Sequence, residues 1–297
     1  MGPAFYFALP CADMGTIGDL LGELPWGLHD AFLEALRVDY LESRLELTVR
    51  LMMSERQDRD QRAMIRVDGL VYCAVEAPTA HAMDELEEGP VWIDAGSGIA
   101  RNAAPGIPEA PEGCFVHWLF VRDWNAFIHI CGRDATFTWL EPEPVPARAD
   151  TGVLYPGDEL PERGAAEPDS APPAAPEVAP GPSIDEACAA LPWGLHDAHL
   201  EALHVDYASG VAELTVRPFG SHPRTTLRVE GLVYCAVDPP HPRPERPGAL
   251  WISDGSGIAP SATERIPRAP EGCFGHWLFM HECNAFIHIC GRRATVA

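Results

Sequence analysis

The sequence predicts a mainly β chain with some α. It reads as two tandem homologous domains, each an antiparallel β-sandwich or partly open barrel, joined by a disordered Pro/Ala-rich linker. One observation behind this is self-similarity. LPWGLHDA stands at Leu24–Ala31 and Leu191–Ala198, GLVYCAV at Gly69–Val75 and Gly231–Val237, and NAFIHICGR at Asn125–Arg133 and Asn284–Arg292. A repeat this long is a domain rather than a solenoid unit. A second observation is the apolar/polar alternation with period two inside each copy, the mark of half-buried strands. The third is the stretch between the copies, which includes PERGAAEPDSAPPAAPEVAPGPS. It is dense in Pro, Ala and acid, and too poor in large apolar side chains to offset the entropy of ordering. The expected boundaries are 1–19 for an N-terminal extension, 20–142 for copy one, 143–186 for the linker and 187–297 for copy two.

Each element follows from local pattern. Leu36, Val38 and Tyr40 alternate with Arg37 and Asp39, and Leu45, Leu47, Val49 and Leu51 follow after a turn at Glu42–Arg44. This is a hairpin, although AFLEAL at its start also fits one helical turn. IRVDGLVYCAV reads as one long strand with a bulge or close backbone approach at Gly69. VWIDAGSG is a short strand ending in a tight turn. CFVHWLFV then leads through a polar break, RDWN, into AFIHIC, and ATFTWL closes the copy. Six or seven strands are expected per copy. The copies differ in length at SERQDRDQR against GSHPR and at PTAHAMDELEEG against PPHPRPERPG. Such length changes belong to surface loops.

Charge excludes some functions. The 297 residues carry a formal charge of −23, and all 21 basic residues are arginine. Bare nucleic acid needs a basic face and is not the expected partner; a basic protein is. Copy one has ten arginines against 21 acidic residues, copy two nine against 11, and the linker two against ten. No window reaches the ~20 apolar residues of a membrane span. The start lacks the basic region of a secretion signal, and the cysteine count of nine is odd. A reducing, cytoplasmic location with free thiols is the expectation.

Chemistry-bearing residues are few. In AFIHIC as a strand, Phe127, His129 and Cys131 share one face, and the second copy repeats the pair as His288 and Cys290. A histidine two residues from a cysteine is open to three readings: two metal ligands, a Cys nucleophile with its base, or core. Two isoleucines beside each cysteine favour core. Cys114 and His117 point to opposite faces of a regular strand, so they do not complete a metal set. His29 and Asp30 are adjacent, and Asp30 reads as a turn cap. GSGIA is a turn, not a phosphate loop, since no longer glycine spacing or Lys follows. Of the tryptophans, Trp124 lies in the polar break and is the one expected to be exposed. The expected binding surface comprises Asp58, Asp60, Asp84, Glu85, Glu87 and Glu88 on the variable loops Ser54–Arg62 and Thr79–Gly89, with Trp124. No catalytic residue, cofactor or metal is expected.

The segments LPWGLHDAFLEALRVDY, LELTVR, GLVYCAV and HWLFVRDWNAFIHICGRDA resemble small bacterial domains that open with an LHDA-type strand. Some domains of that look are predicted immunity proteins of polymorphic toxin systems. The resemblance spans nearly all of each copy and implies a small β-rich fold, a cytoplasmic location, no cofactor and a toxin as partner. The expected function is therefore a non-catalytic protein-binding module that neutralises a toxin through an acidic surface. The alternatives are a metal-binding or Cys/His-dependent enzyme using His129, Cys131, His288 and Cys290, and a two-domain scaffold in which the linker holds two weak units together.

Overall fold

A computed structural model describes residues 15–22, 24, 27–52, 60–84, 89–100, 106–140, 178–191, 194–220, 222–240, 248–259 and 265–297. It is mainly β. A short helix α1 (Ile17–Gly22) precedes β1 (Ala31–Asp39), β2 (Arg44–Met52), β3 (Asp60–Asp68), β4 (Tyr72–Val75), β5 (Val91–Ser97), β6 (Phe115–Val121), β7 (Ala126–Gly132) and β8 (Asp134–Trp139). The second copy repeats the order with α2 (Ile184–Cys188), β9 (Ala198–Asp206), β10 (Val211–Arg217), β11 (Thr225–Glu230), β12 (Tyr234–Val237), β13 (Leu250–Ser256), β14 (Phe274–Met280), β15 (Ala285–Gly291) and β16 (Arg293–Val296).

Alternation places one face of each strand in the core. In β2 Leu45, Leu47, Val49 and Leu51 are buried and the residues between them are half-buried. AFLEAL is strand, not helix. IRVDGLVYCAV is two strands, because Gly69 at φ 61° turns the chain between β3 and β4. Among the described residues each copy thus has eight strands, not six or seven. Short helices were also missed at both copy starts. Ser183 caps α2, and its backbone N–H donates to the Glu186 carboxylate at 2.8 Å in a capping box. Thr16 and Asp19 make the same exchange at α1. The preceding chain also pairs with the last strand of its copy: Ala135 N–H donates to Gly15 O, and Ala294 N–H to Pro182 O. Residues assigned to the extension and the linker are therefore built into the folded units. Residues 143–177 lie outside the described residues.

All sixteen strands form one antiparallel sheet, in the order β16-β11-β10-β9-β13-β14-β15-β12-β4-β7-β6-β5-β1-β2-β3-β8, with β9 also paired to β1. The β1–β9 register runs from Ala35↔Asp206 through Arg37↔His204 to Asp39↔Ala202. Arg37 faces its own counterpart, so a local two-fold axis relates the copies here. Val75↔Val237, joining β4 to β12, is again a residue facing its counterpart.

A β-bulge makes this junction possible. The β1–β2 register skips Glu34, and the β9–β10 register skips Glu201. Before its bulge β1 pairs with β5; after it, the same edge pairs with β9. An extra residue re-aims a strand in this way. Glu34 O accepts Tyr207 N–H at 2.8 Å, and Glu201 O accepts Tyr40 N–H at 2.9 Å. The bulged side chains are buried and held by two arginines each: Glu34 by Arg50 at 2.6 Å and Arg62 at 2.7 Å, Glu201 by Arg217 at 3.4 Å and Arg224 at 2.5 Å. The main apolar core runs through both copies.

Candidate functional site

Strand β7 lies between β4 and β6. Its residues Ile128 and Ile130 face the main core, while Cys131 joins a smaller cluster with Tyr72 and Ala74. His129 is flanked across the sheet by Ala74 and Trp118. The segment after β5 roofs this second face, and Ala100 N–H points at His129 Nε2 from 3.4 Å. The roof is tied down where the Tyr72 hydroxyl donates to Pro108 O at 2.8 Å, matched by Tyr234 and Pro267 at 2.9 Å. His129 and Cys131 are 0% exposed, His288 1% and Cys290 0%.

That enclosure sets their chemistry. Burial disfavours charge, so the His129 and His288 imidazoles fall to about 4 and the Cys290 thiol rises to about 12. A thiol so raised is a poor nucleophile at neutral pH. Among the described residues neither ring nitrogen of His288 has a hydrogen-bond partner. None of the eight cysteines at Cys73, Cys114, Cys131, Cys188, Cys235, Cys273, Cys283 and Cys290 is in a disulfide among the described residues.

The expected binding residues are scattered in standing. Asp58, Glu85, Glu87 and Glu88 lie outside the described residues, and Asp84 closes a 3-10 turn at Ala82–Asp84. Asp60 is exposed at the start of β3 and pairs with Arg50 at 3.3 Å. Trp124 corrects the expectation of exposure. It is 3% exposed, because its ring packs edge-on against Tyr207 of the other copy at 5.2 Å. It also lines a cavity of about 150 Å³ between the copies, with Tyr207, Tyr234 and Arg292. In copy two Cys283 holds the matching position.

His29 and Asp30 join a surface group the sequence did not assemble. His29 Nδ1 lies 2.5 Å from Asp94, and Arg122 bridges Asp94 at 2.9 Å and Asp30 at 2.7 Å. Asp30 takes φ 56° at the end of its turn. The guanidinium already engages an oxygen of each acid, and its positive charge at the centre of the group repels a further cation. At the matching place in copy two Ser253 Oγ and His281 Nε2 are 2.6 Å apart. Among the described residues no carboxylate lies within ion-pair distance of His281, so no triad forms. Asp94 and Asp254 were not singled out from sequence, yet they stand one position out of step in the matching strands VWIDAGSG and LWISDGSG. In a strand that step reverses the face: Asp94 meets His29 and Arg122, while Asp254 turns to His276.

The chain matches no family model, no curated protein and no solved structure. Among the described residues no helix is long and apolar enough to cross a membrane.

Proposed function

We propose that the chain is a duplicated β unit, two antiparallel sandwich-like copies in one body, and acts as a non-catalytic protein-binding module. Its partner is a basic protein, of the kind a toxin-neutralising immunity protein takes in the cytoplasm, as the resemblance of the LHDA-type copies implies. The observation that carries this reading is the charge balance. Arg44, Arg50, Arg62, Arg66 and Arg122 in copy one are already bound to carboxylates of the same chain, as are Arg217, Arg224, Arg228, Arg265 and Arg293 in copy two. The net charge of −23 therefore stands as a field that draws a basic partner and sets its approach. Enclosure of His129, Cys131, His288 and Cys290 weighs against the enzyme alternative.

The test is co-expression. A gene beside this one should encode a basic protein that kills when expressed alone, and this chain should abolish the killing. Purified together, the two should associate at a rate that drops steeply between low and high salt. Neighbouring genes without a toxin, or no protection on co-expression, would end the immunity reading. Thiol labelling addresses the alternative. Cys131 and Cys290 should react far more slowly in the native protein than after denaturation, and equal rates would reopen an enzyme.

A further inference from the structure

Copy two carries a polar cluster that copy one lacks at the same place in the fold. Ser256 faces His276 across β13–β14, as Ser97 faces His117 across β5–β6. Both histidines are 2% exposed, and in each the Nε2 atom has no hydrogen-bond partner among the described residues. In copy one the surrounding positions are Gly18, Leu21 and Ala95, and the His117 imidazole, taken out of water, falls to about 4. In copy two those positions hold Asp185, Cys188 and Asp254.

The acids close on the ring. Asp254 Oδ2 lies 3.3 Å from His276 Nε2, and Asp185 Oδ1 lies 3.7 Å from Nδ1. The Ser256 hydroxyl donates to the other oxygen of Asp185, which fixes that carboxylate. Cys188 sits one turn along α2 on the same side; burial, then Asp254 and Asp185, push its thiol up to about 12. One atom from each of Asp185, Asp254 and His276 lies within 4.8 Å of the others.

Two carboxylates stand beside a buried imidazole whose Nε2 has no hydrogen-bond partner among the described residues, and negative charge in so shielded a place calls for a counter-charge. Among the described residues no arginine pairs with either acid, unlike at Asp94. Two atoms bound to one tetrahedral zinc at ~2.1 Å stand about 3.4 Å apart. The Asp254–His276 separation fits that spacing better than it fits a hydrogen bond. We propose that Asp185, Asp254 and His276 form a divalent-cation site confined to copy two, selective for zinc and zinc-like ions by its nitrogen and oxygen donors. Three protein ligands leave a fourth position for water. Partly exposed Asp185 is the entrance, and His276 is the buried wall.

Zinc titration of the full chain, stripped with a chelator and followed with a chromophoric competitor, tests this. One equivalent should bind, and cobalt in its place should show tetrahedral d–d absorption. Asp185→Gly and Asp254→Ala install the residues copy one already tolerates, so both variants should fold. Each should weaken zinc at least about tenfold, while Asp94→Ser leaves it unchanged. No uptake by the natural chain, full affinity in the double variant, or an equal loss in Asp94→Ser would overturn the assignment. So would a nitrogen resonance showing His276 doubly protonated at neutral pH in zinc-saturated protein, since a proton would then be the missing counter-charge.

Discussion

His288 shows what this protein does with a titratable group it encloses. Burial holds His117, His129 and His288 near 4, well below the ordinary 6.5. Asp238 pulls His288 back up and Arg265 pushes it down, both less than burial. The sign of the linkage follows. Above pH 6.5 these rings are neutral folded and unfolded and contribute no pH dependence. Between 6.5 and 4 the unfolded chain takes up protons that the native chain refuses, so stability falls as pH falls, by up to about 1.4 kcal/mol per pH unit for each ring. His288→Leu should flatten that slope by about one ring's share and, with both ring nitrogens unpartnered, should cost little at pH 7. Urea midpoints at pH 5 and pH 7 check it; an unchanged slope would mean that His288 charges in the native state. At this scale much was legible. Isoleucines alternating with Phe127, His129 and Cys131 place the pair inside a central strand on sequence alone. Trp124 was not legible, because its polar neighbours Arg122, Asp123 and Asn125 mark a surface turn. The Tyr207 ring that covers it lies 83 positions away.

Strands were legible as elements because side-chain alternation is a property of each strand alone. Their joints were not. Glu34 and Glu201 stand where the alternation changes phase, from Leu33 to Leu36 and from Leu200 to Leu203, a break that in AFLEAL also fits one helical turn; only the register shows them as the extra residues of a bulge. The capping boxes Thr16–Asp19 and Ser183–Glu186 had a sequence signature, but runs of five or six helical residues give too little period to recognise. Glycines at close approaches offer a sharper test. A Cβ at Gly96 would overlap the Trp118 indole, as one at Gly255 would overlap Trp277, and neither site can take it without moving a half-buried indole. Gly96→Ala and Gly255→Ala should each destabilise by about 1–3 kcal/mol. Gly22→Ala, at a helix end with nothing near the new methyl, should be neutral or slightly stabilising. Chemical denaturation of the three variants decides it; equal midpoints would show that the indoles give way freely.

At the scale of the molecule, the sequence's two domains share one sheet and one apolar core. That could not be read from the chain, because side-chain alternation reports which face of a strand is buried and is silent on which edge is paired. Backbone groups make the edge contacts, and they are the same in every residue but proline. The β1–β9 ladder, the Val75–Val237 contact, the bulge carbonyls bonded to the opposite copy and the edge-on Trp124–Tyr207 contact each couple the halves. Separating them would bare two strand edges and part of the core, a far larger loss than any flexible tether could offset. The whole chain should therefore unfold in one calorimetric transition, with equal van't Hoff and calorimetric enthalpies. A protease site inserted within residues 141–177 gives the stronger form of the test. After complete cleavage the fragments should still elute together at the size of the intact chain and separate only in denaturant. They should also re-form the complex when denaturant is removed, because β1 and β9 template each other across the two-fold. Two transitions in the intact chain, or two free fragments after cleavage in native buffer, would show instead that the copies are independent domains and that the ladder between them is too weak to hold.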